Sequence, residues 1–316
     1  MERKKSDWGK ISADIKGKGS QFTEKTKLSI QKSATAVKDS STVIYKKAVE
    51  KIDANGNGEI DVEDIIINAM KVPGVRIDRT KFLEKELQNI CDKETINKAV
   101  SENPMSANVS LEIINKLADD TIKFERNCVS GISAALRLPG GAAMIATIPA
   151  DIVQYYGYML RTAQKLMYLY GFPEITIENN ETELDTATVN TLTVCLGVMY
   201  GVVGANNAIK AMAKALSEGV SKQLLKKALT KGTIYPVVKA VAKWFNVKMT
   251  KEIFAGFFKK SIPVVGGVIG AGLTFATFKP CCEKLKRSLQ DTALSNPDHY
   301  SEDNFIEVNA EETEII

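Results

Sequence analysis

The run Asp53-Ala54-Asn55-Gly56-Asn57-Gly58-Glu59-Ile60-Asp61-Val62-Glu63-Asp64 sets oxygen-bearing side chains at alternate positions around two glycines. Hard divalent cations take oxygen ligands, and a twelve-residue loop between two helices supplies them from its positions 1, 3, 5, 7, 9 and 12. On that scheme Asp53, Asn55 and Asn57 give side-chain oxygens, Glu59 its backbone carbonyl, Asp61 a contact through water, and Asp64 closes the set. Gly58 falls at position 6, where the chain turns sharply, and Ile60 at position 8, where a short β-bridge is expected. The expected ion is calcium. Asp64 departs from the bidentate glutamate of the pattern: its shorter side chain is expected to reach the ion with one oxygen. That weakens calcium binding or admits magnesium, whose octahedral shell takes fewer protein oxygens. The competing reading is an Asn-Gly-rich surface turn without metal.

The flanks decide how such a loop is held. Val43, Ile44, Ala48 and Ile52 make a helical apolar stripe before it, and Ile65, Ile66, Ala69 and Met70 make another after it. Helix, loop and helix together look like an EF-hand over residues 41–76. Val75–Leu83 resembles the second half of another such loop, with Ile77 at position 8 but Lys81 in place of the metal-binding carboxylate. An ordinary helix start with Asp78 as N-cap explains the same residues.

A chain of 316 residues, 44% hydrophobic and 25% charged, buries a substantial core. Its five cysteines, at 91, 128, 195, 281 and 282, form no regular framework and point to free thiols in a reducing compartment. The polar start lacks an apolar signal-peptide core, so a cytoplasmic protein is expected. With a single histidine, His299, the chain offers neither a histidine-based triad nor a histidine zinc site. Residues 1–40 read as a basic, weakly amphipathic or flexible arm, and residues 295–316 as an acidic flexible tail.

Between these ends the spacing of apolar residues predicts a mainly α fold, with Thr176–Glu183 as a connector. Gly131–Ala150 is interrupted by Leu138-Pro139-Gly140-Gly141 and by Pro149, which predicts two short apolar helices. A helix is expected to start at Asp151, carrying Asp151, Gln154, Tyr158, Arg161 and Lys165 on one face. That stripe suits an anion at a helix N-terminus, or is a solvated face. Asn190–Ile209 and Ser261–Phe278 lack charge and carry glycines four apart, Gly197 with Gly201 and Gly266 with Gly270. Both read as buried helices of a bundle or as membrane-associated segments. From Lys222 to Lys260 ten lysines face the lone acid Glu252. Lys239 and Lys243, then Lys259 and Lys260, edge an apolar body of Val237, Val238, Val241, Phe245, Phe254, Phe257 and Phe258. Anionic lipid fits that pattern better than nucleic acid, whose recognition motifs are missing.

Leu138-Pro139-Gly140-Gly141, Ile148-Pro149-Ala150-Asp151, Gln164-Lys165-Leu166 and Tyr168-Leu169-Tyr170-Gly171 resemble the core of the EcsC family, largely bacterial proteins. Lys231-Gly232, Ile262-Pro263-Val264-Val265-Gly266 and Thr274-Phe275 extend the resemblance over roughly 77–290, within a domain expected over 77–294 and outside the EF-hand. It implies a large helical domain tied to membrane or transport processes, and no catalytic residues. The expected function is calcium-dependent association with an anionic membrane at its inner face, or with a membrane transport protein, rather than catalysis. The alternatives are an enzyme acting on a lipid or anionic metabolite through an Asp151/Arg161/Lys165 pocket, and a scaffold with a structural metal.

Overall fold

The computed structural model describes residues 50, 52–54, 56–135, 142–175, 184–220, 222–246 and 266–297, with backbone alone at 130–135, 142–152, 222 and 266–276. All of them belong to the larger of the chain's two units, Ala48–Ile316, the other being Met1–Lys47. Residues 1–40, the connector 176–183, Leu138–Gly141, Lys259 and Lys260 lie outside the described residues, as do 298–316 of the expected tail.

The described residues form ten helices and no strand. They are α1 (Val62–Met70), α2 (Arg79–Leu87), α3 (Lys93–Ser101), α4 (Leu111–Ala135), α5 (Ala142–Leu169), α6 (Thr186–Tyr200), α7 (Ala205–Ser217), α8 (Lys222–Lys231), α9 (Tyr235–Trp244) and α10 (Gly266–Gln290). Short polar side chains start several of them: Asp61, Asp78, Asp92 and Asp185 each accept an amide hydrogen from the first turn of α1, α2, α3 and α6. Asp78 thus begins α2 as its N-cap, the place that Asp61 takes at the start of α1. Arg79 beside it is buried and ties α2 to the end of α3, donating to the carbonyls of Ala99, Val100 and Glu102 and to that of Phe172.

α6 is the centre of the unit. Every residue from Thr188 to Met199 is buried, as an all-round apolar helix must be. It packs against α1, α5, α7, α8, α9 and α10. Its polar residues bond locally, Thr193 Oγ1 to the Val189 carbonyl and Asn190 Nδ2 to the Leu229 carbonyl. The long helices α4, α5 and α10 pack on one another and carry α1 against α5.

Two expectations change and a third holds. First, α5 begins at Ala142 and runs through Pro149, so Asp151 lies well inside it and has no helix-terminal field to use. A proline removes one hydrogen bond, yet α5, which packs on α1, α4 and α10, continues past it. Second, Asn190–Ile209 is not one segment. α6 stops at Gly201, α7 starts after Gly204, and both glycines are left-handed, with φ of 75° and 82°. Third, Gly197 serves packing inside the unit: a Cβ there would lie 2.7 Å from Val241 Cγ2 on α9 and 3.0 Å from Ala205 Cβ. Among the described residues, no helix is long and apolar enough to cross a membrane.

At the far end, Thr292 and Ser295 are fully buried, and Ser295 Oγ donates to the Leu289 carbonyl at 2.7 Å.

Candidate metal centre

The loop Asp53–Asp64 is built around its carboxylates. Asp53 Oδ1 accepts from the amides of Gly56 and Asn57 at 2.6 and 3.2 Å, and Oδ2 from that of Gly58 at 2.8 Å. Curling the backbone round one carboxylate takes left-handed residues at Gly56 and Gly58, with φ of 73° and 83°, which glycine adopts without steric cost. Asn57 Oδ1 takes the Glu59 amide at 2.8 Å, and Asn57 Nδ2 donates to Asp61 Oδ2 at 3.3 Å. Ile60 is buried and anchors the middle of the loop to the core.

Asp64 closes the ring. It is fully buried, and its Oδ1 accepts from the amide of Ala54, across the loop, at 2.8 Å. Its Oδ2 accepts from the Asp61 amide at 3.0 Å, while Asp61 Oδ1 accepts from the Asp64 amide at 3.0 Å. This reciprocal pair is a capping box at the start of α1. Asn68, one turn on, donates to the Ile52 carbonyl at 2.6 Å and to that of Asp64 at 2.8 Å, joining the two flanks of the loop. Glu63 feels the crowding: desolvation first, then the charges of Asp61 and Asp64, raise its pKa above the ordinary glutamate value.

The donors Asp53, Asn57, Asp61 and Asp64 are oxygen atoms only, which suits a hard divalent cation. Among the described residues no group of three or more His, Cys, Asp and Glu side chains is placed to hold a metal ion; Asn55 lies outside them. A cation in this loop would share Asp64 with two backbone amides.

Beyond α1 the chain turns at Gly74 and is gripped by α5. Gln164 Nε2 donates to the Val75 carbonyl at 2.9 Å, and Gln164 Oε1 accepts from the Ile77 amide at 3.2 Å. Val75 packs so close to α5 that a Cβ at Gly157 would lie 3.1 Å from its Cγ2. Arg161 Nη1 donates to the Gly74 carbonyl at 2.7 Å, and its Nε donates to Glu125 Oε1 at 2.8 Å. Lys165 Nζ donates to the same Glu125 oxygen at 2.6 Å and lies over the rings of Phe82 and Phe124.

Glu125 is fully buried on α4, and its Oε2 has no hydrogen-bond partner among the described residues. Of the polar stripe of α5, Arg161 and Lys165 thus pair with a buried acid, and together with Gln164 they fasten α1 and α4 to α5. Two cavities flank other elements. One of about 230 Å³ lies near Phe172 and Leu229, the other near Gly201 and Arg287, and neither is lined by Arg161 or Lys165. The side chain of Asp151 lies outside the described residues.

The sequence reading missed Glu125 and Arg79. Glu125 was in view, since Ile114, Leu117, Ala118, Thr121, Ile122, Glu125 and Val129 recur at three- and four-residue steps and all are buried. An acid on an apolar stripe marks a buried partner. Lys239 and Lys243 are exposed on α9, while Val237, Val238 and Val241 on its other side are buried. Comparison with protein-family models, curated proteins and solved structures finds no match to this chain.

Proposed function

We propose that this is a calcium-responsive helical protein with an EF-hand attached to an EcsC-like domain, and that it associates with anionic membrane surfaces or with a membrane transport protein. The observation that carries the reading is Asp64. The carboxylate that closes the Asp53 loop sits on α1, and the turn following α1 is held by Gln164 and Arg161 of α5. Calcium would be held by Asp53, Asn55, Asn57, the Glu59 carbonyl, Asp61 and Asp64, its charge offsetting the crowded carboxylates. A change in how α1 sits then reaches α4 through Gly74, Arg161 and Glu125, a switch of the sensor type.

Attachment falls to Lys239, Lys243, Lys259 and Lys260 at the inner face of the membrane. Val237, Val238 and Val241 are buried, so the α9 contribution is electrostatic rather than insertion of an apolar face. The enzyme reading loses support, because Arg161 and Lys165 are committed to Glu125.

Calorimetric titration of calcium and magnesium into the full chain and into Asp53→Ala tests the metal, and co-sedimentation with phosphatidylserine vesicles, with and without calcium, tests attachment. Calcium binding lost in the variant, together with calcium-dependent sedimentation weakened by Lys239→Glu/Lys243→Glu, is the expected result. Sedimentation indifferent to lipid charge, calcium and these lysines would overturn the membrane reading. A metal that raises the melting temperature without altering any binding would reduce the loop to a structural clamp.

A further inference from the structure

The end of α5, residues 172–175, the start of α6, the end of α7 and α8 border a cavity of about 230 Å³. Among the described residues its wall is mainly apolar, with Met167, Phe172, Met212, Leu216, Leu225 and Leu229. An apolar cavity of about 150 Å³ stays dry and takes up benzene, so this one has room for a larger apolar body. The two methionines suit a guest of that kind, because unbranched thioether side chains adapt to the shape beside them.

The charges on the rim are already matched. Asp185 pairs with Lys226 at 3.2 Å, and Glu174 accepts the Arg79 amide at 3.3 Å and is attracted by the charge of the same residue. An ionic guest would have to displace one of these partners or lose its water without gaining one. The cavity therefore selects against charge.

One polar group is left over. Thr191 of α6 lines the cavity and is 9% exposed, and its hydroxyl has no hydrogen-bond partner. Thr193 on the same helix instead returns its Oγ1 to the Val189 carbonyl at 2.8 Å. Among the described residues, the unpartnered side-chain atoms sealed from solvent are Glu125 Oε2 and Ser288 Oγ. Thr191 Oγ1 is not one of them, so the surface it retains opens on the cavity that the residue lines. An unsatisfied hydroxyl in an apolar wall marks where the polar atom of a guest would sit.

We propose that this cavity binds a small neutral molecule with an apolar body and a single hydroxyl or carbonyl group, the body packed among the methionines and leucines and the polar atom hydrogen-bonded to Thr191 Oγ1. Medium-chain alcohols and ketones have this chemistry. The site depends neither on the calcium loop nor on membrane attachment.

The test titrates 1-octanol calorimetrically into the full chain in a chelator, so that the calcium loop plays no part, with octanoate and octylammonium titrated alongside. Saturable binding of 1-octanol is expected, tighter than that of either charged probe. In protein labelled with carbon-13 at the methionine methyl groups, the Met167 and Met212 signals should move as the site fills, while that of Met70, outside the cavity, stays in place. Thr191→Val keeps the shape of the side chain and should weaken 1-octanol about threefold to tenfold, the worth of one hydrogen bond, without lowering the melting temperature. Ala187→Leu, at another residue of the wall, fills part of the space and should weaken it at least about tenfold.

Uptake of 1-octanol that does not saturate, or that leaves the Met167 and Met212 signals unmoved, overturns the proposal. So does equal binding in the parent, Thr191→Val and Ala187→Leu. Tighter binding of octanoate or octylammonium overturns the neutral class of ligand.

Discussion

α5 and α9 carry cations at the same helical spacing, Arg161 with Lys165 and Lys239 with Lys243, yet the structure uses them oppositely. On α5 the cations turn inward to a single buried carboxylate, Glu125, and one of them also holds the Gly74 turn. On α9 the lysines face out, without an ion pair among the described residues, and the valines turn inward to α6. Lys239 instead lies over the Tyr235 ring, 5.4 Å from its centre. The spacing is common to both; the difference is the partner. α4 presents an acid to α5, whereas α6 has no charged residue to present to α9. A cationic stripe becomes a fastening where a neighbouring helix supplies the counter-charge, and a solvent face where it does not.

Removing that acid should break the contrast most severely. Glu125→Ala leaves Lys165 buried and Arg161 partly buried without a counter-ion, and we expect a loss of about 3–5 kcal/mol in urea unfolding. A loss below about 1 kcal/mol would mean that the pair is as dispensable as a surface one. The next effect concerns why α9 turns its valines inward. Gly197→Ala puts a methyl group 2.7 Å from Val241 Cγ2, and overpacking of this kind costs about 1–3 kcal/mol. Adding Val241→Ala should recover part of it, a coupling that a double-mutant cycle reads directly.

Between the two extremes sits Lys226 of α8, paired with Asp185 at 3.2 Å. Burial pushes the Asp185 carboxyl up, but the Thr188 hydrogen bonds and Lys226 outweigh it and hold its pKa below the ordinary value. A depressed acid stabilises the fold above its unfolded pKa of about 3.9, and that contribution disappears as pH falls through the lower folded value. Thermal melts in acid should therefore show Asp185→Asn losing less stability than the parent on acidification; equal losses would remove Asp185 from the account. Its replacement by alanine near neutral pH should cost about 1 kcal/mol as a lost helix cap. Smallest of all, Lys239→Gln/Lys243→Gln should change stability by no more than about 0.5 kcal/mol, as exposed substitutions do. A larger change would show α9 to be fastened by charge after all.

Much of the local structure was legible. The helix start at Asp78 follows from a short acceptor placed ahead of apolar periodicity, and those at Asp61, Asp92 and Asp185, which were not read from the sequence, have the same form. The curl of the Asp53 loop is written in Gly56 and Gly58, because few other residues tolerate their dihedral angles. Pro149 misled for a related reason: local chemistry counts the lost hydrogen bond, while the support given by α1, α4 and α10 is invisible to it. The uncharged run Asn190–Ile209 misled through its composition, which resembles a single apolar segment, although Gly201 and Gly204 fold it into two helices.

The sequence by itself determined the oxygen-rich loop, the helical class and which face of α9 is apolar, because these depend on residue type, spacing and backbone freedom within a few turns. Only the tertiary structure decided that Arg161 and Lys165 meet Glu125 and that Arg79 caps α3. Each of these joins residues far apart in the chain, and a charge carries no mark of its partner until packing has fixed both the distance between them and the exclusion of water.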